Sequence, residues 1–162
     1  MEERKISIII ADDNKEFCNI LNDYLLMQKG FVVSGIAENG LEAIKLIKEK
    51  KPDLLILDIV MPILDGLSVI ERLKTMDLDP MPHIIVISAL GQDKITQRAL
   101  SLGADYYFIK PFNMEEFIKK IKKILNNTVF SNDIKKPLTY MDNAEIKINI
   151  SDPIDIIIHE DL

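Results

Sequence analysis

Cysteine is almost missing from this chain: the 162 residues contain one, Cys18, so a disulfide framework is excluded. There is also no apolar run long enough to span a bilayer and no signal-peptide pattern. A reducing, cytoplasmic location with no membrane partner is the expectation. Cys18 sits at helical spacing to Leu21 with no histidine near it in sequence, and reads as a small core or boundary residue, not a nucleophile or ligand. A basic stripe of the kind that neutralises phosphates is lacking too. The net charge is −6, and residues 127–162, with three Lys and seven Asp or Glu, carry −4 of it. The chain as a whole is 48% apolar and 28% charged, enough to bury one core and therefore to make one domain.

The stretch around which the rest is arranged is Leu54–Gly66, LLILDIVMPILDG. Four apolar residues run into Asp58, and Met61-Pro62 and Asp65-Gly66 then force a turn. An unbroken apolar run of this length reads as a strand covered on both faces, as in a parallel sheet between helices. Asp58 then lies at the strand's carboxyl end, the edge where open α/β sheets place their chemistry.

The same strand-then-helix unit recurs five times over residues 5–126. Ile6–Ala11 is a strand ending in Asp12-Asp13-Asn14, followed by Phe17, Ile20, Leu21, Tyr24 and Leu25 at helical spacing up to Gly30. Phe31–Ile36 is the second strand, and Leu41, Ile44 and Ile47 mark the second helix, which ends in the charged run before Pro52. Leu54–Leu57 precedes a helix carried by Leu67, Val69, Ile70 and Leu73. His83–Ser88 precedes the least distinct helix, with Ile95, Ala99 and Leu102 on one face and an exposed, adaptable opposite face. Tyr106–Ile109 precedes a helix that Asn113 and Glu116 open as a capping box, with Phe117, Ile118, Ile121 and Leu125 apolar. The methionines are scattered and read as core filler. His83 and His159 read as solvated or structural.

Right-handed crossovers favour one parallel sheet with helices on both faces, a doubly wound α/β architecture of five βα units. Strand order 2-1-3-4-5 brings Asp12, Asp13 and Asp58 to one edge, with Ser88 and Lys110 beside them. Crowded carboxylates repel, and keeping them ionised near neutrality calls for a cation. Oxygen donors favour a hard divalent ion, Mg²⁺ first, with Ca²⁺ or Mn²⁺ able to use the same ligands. Asp58 is then placed to attack phosphorus while Lys110 offsets charge on the transferring oxygens. Ser88 can donate a hydrogen bond to a phosphoryl oxygen in the modified state alone, which is enough to bias a conformational equilibrium.

Asp12-Asp13, Asp58 within LDIVMPILDG, Ser88-Ala89 and Lys110-Pro111-Phe112 resemble the receiver domains of bacterial two-component response regulators, in register over about residues 4–126. The resemblance implies a flavodoxin-like receiver fold with Asp58 as phosphoacceptor. It also implies Mg²⁺ held by Asp13, Asp58 and the Val60 carbonyl, with Asp12 supporting it, often through water. Lys110 would pair with the phosphoryl group, Lys110-Pro111 would be a cis peptide bond, and Tyr107 would move inward as Ser88 swings toward phosphate. Such a chain is a switch that assists its own phosphorylation and dephosphorylation, and is not classed as an enzyme. Its partners would be a sensor histidine kinase or histidine phosphotransferase, with a phosphorylation-dependent homodimer a further state. Its response surface would be helix 4, strand 5 and helix 5.

IADDNKEFCNILNDYL, LDIVMPILDGL, ISALGQDKITQRALSLGADYYFIKPF and the late IIIHE are further similar to the stage zero sporulation regulators of endospore-forming bacteria. By that likeness residues 127–162 are a linker and the start, Ile154–Glu160, of a DNA-binding effector domain. The segment is expected to be flexible, and no DNA recognition is expected from the residues present. A stand-alone receiver acting as a phosphorelay intermediate or docking switch is the functional alternative. A haloacid-dehalogenase-like phosphatase would carry Asp-x-Asp after its first strand, where this chain has adjacent aspartates. A flavodoxin-like cofactor site would need a phosphate cradle that Asp12-Asp13 would repel. Singly, Asp12-Asp13 would more often be a turn or helix N-cap and Ser88 a strand-end hydroxyl; their coincidence with Asp58 and Lys110 is what points to chemistry.

Overall fold

The computed structural model describes residues 3–130. Strands and helices alternate: β1 (Ile6–Ala11), α1 (Lys15–Leu26), β2 (Phe31–Ala37), α2 (Gly40–Lys50), β3 (Leu54–Asp58), α3 (Gly66–Thr75), β4 (His83–Ser88), α4 (Asp93–Ser101), β5 (Tyr106–Ile109) and α5 (Met114–Phe130). All neighbouring strands are parallel, in the order β2-β1-β3-β4-β5. Every residue of β3 is buried, as its unbroken apolar run requires of a central strand covered on both faces. The register pairs Ala11 with Leu57 and Asp58 with Ile87. The residues following Ala11, Asp58 and Ser88 therefore emerge at one edge, beside the reversal of strand order between β1 and β3.

Among the described residues, four of the five helices begin on a side-chain cap. Asn14, Asn39, Asp65 and Asn113 accept from the backbone N–H groups of Phe17, Glu42, Ser68 and Glu116, at 2.8–3.1 Å. Each such cap contributes about 1 kcal/mol. The residue before α4, Gln92, makes no such bond, and the buried residues of α4 differ from the expected line. Thr96, Ala99 and Leu100 are buried, with Leu102 just past the end, while Ile95 is half-buried. Thr96 can sit inside because its hydroxyl donates to the Gln92 carbonyl at 3.2 Å.

In α5 the buried residues are Phe117, Ile118, Ile121 and Ile124, and Leu125 is half-buried. The helix also runs on to Phe130, past the boundary placed at residue 126, since no Gly or Pro interrupts the sequence there. Residues 131–162, with Ile154–Glu160 and His159, lie outside the described residues. Met61 is buried as a filler would be, but Met27, at the end of α1, is exposed. His83 is structural: its Nδ1 lies 3.2 Å from Asp105 Oδ2, which also accepts from the Ile84 N–H at 2.8 Å.

The turn from β3 into α3 is closed by backbone contact. The Gly66 N–H donates to the Ile59 carbonyl at 2.8 Å, and a Cβ on Gly66 would stand 2.2 Å from the Asp58 carbonyl oxygen and 2.8 Å from Ile59 Cα. Neither obstacle is a flexible side chain, so the strand end that presents Asp58 would have to shift. Gly66→Ala should lower stability by roughly 2 kcal/mol or more, measurable by urea denaturation. A loss within 0.5 kcal/mol would show that the turn accommodates a side chain.

Candidate functional site

The edge residues form one charged cluster. Asp12 follows β1, and both its oxygens are engaged: Oδ1 accepts from the Asn14 N–H at 2.9 Å, and Oδ2 from the Lys110 ammonium at 2.6 Å. Lys110 Nζ also donates to Asp58 Oδ2 at 3.3 Å, and the Val60 N–H donates to Asp58 Oδ1 at 3.2 Å. Asp12 and Ser88 are fully buried and Asp58 is 6% exposed, whereas Asp13 stands out in solvent. One oxygen from each of Asp12, Asp13 and Asp58 falls within 4.8 Å of the others. Because Asn14 caps α1, the paired aspartates are free of that duty.

Lys110 follows β5, and its N–H donates to the Ser88 carbonyl at 2.8 Å. The Lys110-Pro111 peptide bond is cis, as is Asp79-Pro80, which the sequence reading did not single out. The Lys110 ammonium lies 4.3 Å from the centroid of the Phe17 ring, so the cation rests on an aromatic face as well as between carboxylates. Phe17 packs edge-on against Phe112, which stacks with Phe117. Sequence periodicity marks Phe17 only as a helix-face residue, and its contact with Lys110 is made by the fold.

Next to this cluster Ser88 Oγ accepts from the Leu90 N–H at 3.3 Å. Tyr107 is buried, and its hydroxyl donates to the Leu90 carbonyl. It therefore occupies the inward position in this structure. Leu90, absent from the sequence-based site, is the backbone junction between the Ser88 hydroxyl and the Tyr107 phenol.

Electrostatics follow from this crowding. Burial first, and then the charge of Asp12, push the Asp58 carboxyl upward, against the opposing pull of Lys110 and the Val60 N–H. For Lys110, burial works to lower the pKa, but the hydrogen bond to Asp12 and the charge of Asp58 outweigh it and the net direction is up. Burial, seconded by Asp12, raises the Cys18 thiol to about 11, and its Sγ points at the Asp12 carbonyl at 3.3 Å. A protonated, buried thiol of this kind is inert. Burial also raises Tyr107, opposed by hydrogen bonding from Ser88 and Thr96.

One ammonium faces three carboxylates. The remaining negative charge and the all-oxygen donor set suit a hard divalent cation, and none of the donors is a thiolate or imidazole that would favour a softer metal.

The response regulator receiver domain family matches residues 8–122. The chain belongs to that family. Among solved structures it is similar to a two-component response regulator from Clostridium difficile, with 31% identity, a TM-score of 0.70 and coverage of 76% of this chain and 98% of that one. The receiver domain of the NarL response regulator from Mycobacterium tuberculosis is 27% identical, with a TM-score of 0.72 and the same coverage of both chains. The CheX-CheY-BeF3-Mg+2 complex from Borrelia burgdorferi matches at 26% identity, with a TM-score of 0.68, over 75% of this chain and 90% of that one. Receiver domains are phosphoacceptor switches that work with histidine kinases or phosphotransfer proteins and bind Mg²⁺ at an acidic pocket. Among the described residues no helix is long and apolar enough to cross a membrane.

A carboxyl whose folded-state pKa is raised costs stability once ionised, and the cost disappears as pH falls through that pKa. In metal-free buffer at pH 7, Asp58→Asn should therefore melt above the wild type, and the gap should close as pH is lowered toward 4. Thermal melts of both proteins across that range, with chelator present, provide the check. A variant less stable than wild type at pH 7 would mean that Lys110 offsets the burial of Asp58.

Proposed function

We propose that Asp58 is the residue phosphorylated in this receiver, taking the phosphoryl group from a phosphohistidine of a sensor kinase or phosphotransfer protein. The observation that carries the proposal is Lys110, whose ammonium reaches Asp12 at 2.6 Å and Asp58 at 3.3 Å across the sheet edge. An Asp58 oxygen forms the new bond to phosphorus as the nitrogen–phosphorus bond of the donor breaks, and the imidazole leaves with the bonding pair and takes up a proton. Lys110 follows the negative charge from the Asp58 carboxylate to the phosphoryl oxygens. Asp13 and Asp58 with the Val60 carbonyl would hold Mg²⁺, and Asp12, whose oxygens already serve Asn14 and Lys110, would support the ion through water. When bound, Mg²⁺ supplies charge neutralisation for the transferring group. Ca²⁺ or Mn²⁺ fit the same oxygens.

Ser88 is proposed as the reporter of modification. Its hydroxyl accepts from the Leu90 N–H, and turning it to donate to a phosphoryl oxygen changes the contacts at Leu90, where Tyr107 is also anchored. Helix α4 begins three residues after Leu90 without a side-chain cap, so the segment next to Ser88 is the one least tied at its start. The sporulation-type role of the whole protein is supported by likeness in sequence, from IADDNKEFCNILNDYL to IIIHE. Cytoplasmic location and phosphorylation-dependent pairing belong to the same reading.

Acetyl phosphate with Mg²⁺ should add one phosphoryl group to wild type and none to Asp58→Asn, read by intact mass; equal incorporation would remove Asp58 from the role. Asp13→Ala should abolish most of the rise in melting temperature that Mg²⁺ gives the wild type, since it deletes a direct ligand. An undiminished rise would place the ion elsewhere.

A further inference from the structure

The loop between Asp58 and α3 holds an apolar side chain in solvent at a conformational cost. Ile63 has φ +70° and is 74% exposed. The Leu64 N–H donates to the Pro62 carbonyl at 2.7 Å, closing a γ-turn centred on Ile63 in the rare, strained positive-φ form. A β-branched residue is among the least suited to that region, where Gly or Asn would sit with less strain. The surroundings prevent the turn from relaxing. The Leu64 carbonyl accepts from the Gly40 N–H at 3.1 Å, Asp65 caps α3, and Gly66 is tied to Ile59. Nor does burial within the chain repay the strain, since three-quarters of the side chain lies in water.

The same Leu64–Gly40 bond sets the loop against the start of α2, where Leu41 follows Gly40 and is 46% exposed. Val60, whose N–H holds Asp58, is 55% exposed on the same loop. Exposed apolar side chains therefore border the acceptor pocket on its β3–α3 and α2 side. Asp58 itself is only 6% exposed. A phosphoryl group attached to a protein side chain can reach it only if the donor's surface closes onto the rim, whereas a small phosphodonor enters alone.

We propose that Ile63, with Leu41 beside it, is an anchor for the phosphodonor protein: a strained apolar contact, buried only while phosphohistidine is presented to Asp58. This rests on the phosphoacceptor reading above and identifies a surface that the donor uses. The donor chemistry that fits is an apolar surface next to its phosphorylated histidine, with no acid–base pairing needed at Ile63 itself.

The test compares wild type with Ile63→Asn, Ile63→Gly and Leu41→Ser, using acetyl phosphate and a panel of purified phosphohistidine-loaded phosphotransfer domains and kinase cores. Ile63→Gly and Ile63→Asn should melt about 3 °C above wild type as strain is released. All three variants should label with acetyl phosphate at the wild-type rate. From the protein donor that labels wild type fastest, kcat/KM should fall fivefold or more for the Ile63 variants, mainly through KM, with a smaller loss for Leu41→Ser. Unchanged protein-donor kinetics would overturn the proposal, as would absence of transfer to wild type from every donor. A concentration-dependent wild-type dimer that the Ile63 variants lose, with transfer unaltered, would overturn it in favour of a second copy as occupant. Failure of acetyl phosphate to label wild type would instead count against the phosphoacceptor reading.

Discussion

Everything at the carboxyl edge of the sheet depends on how a single ammonium is shared. Lys110 reaches Asp12 and Asp58 together, and without it two desolvated carboxylates would face each other at the end of a core strand. A buried ion pair is weak evidence for stability, since desolvation offsets much of the attraction, but removing the shared cation, which would leave two buried carboxylates unpaired, typically costs about 3–5 kcal/mol. The arrangement is therefore one that holds charge in place and leaves it short of neutral. That shortfall suits a divalent cation, whose charge would in turn offset a phosphoryl group that the carboxylates alone would repel.

The cation's position is itself determined by several elements. The Lys110 N–H is fastened to Ser88, the ammonium rests over Phe17 of α1, and Phe17, Phe112 and Phe117 form a continuous aromatic packing from α1 to α5. Asp12 is set by β1 and by the Asn14 N–H. The carboxylates and the ammonium thus come from three strands whose ends cannot move independently, and preorganisation of this kind lets fixed charges stabilise a transferring group without reorganising.

Beside this fixed floor stands a looser segment. Four helices begin on side-chain caps and α4 does not. The path from Ser88 through the Leu90 backbone to Tyr107 leads into that segment. Its exposed ion pair to α3, Arg98 with Glu71 at 2.6 Å, is of the surface class that contributes about 0–1 kcal/mol. Without a cap of about 1 kcal/mol, the start of α4 lacks one bond that the other four helices have.

The strands, the Asn113 cap of the last helix and the five residues gathered at the sheet edge were legible in sequence, because buried parallel strands leave unbroken apolar runs and turn chemistry leaves Asn, Asp, Gly and Pro; that Asn14, Asn39 and Asp65 cap their helices was not. The buried face of α4 was not, since Thr96 can be interior only once its hydroxyl finds the Gln92 carbonyl, and apolar periodicity does not count a threonine. Nor were Met27's exposure, the cation–aromatic contact of Phe17 with Lys110, the Leu90 junction or the strain at Ile63. Each depends on which surfaces meet after the chain has folded. By itself, then, the sequence determined the alternation of strands and helices and the identities of the charged residues at strand ends, since both are local patterns. Tertiary structure alone decided that Lys110 would stand between Asp12 and Asp58 and that Ile63 would face solvent, because distances between residues far apart in the chain, and the exposure of any one of them, are set by packing.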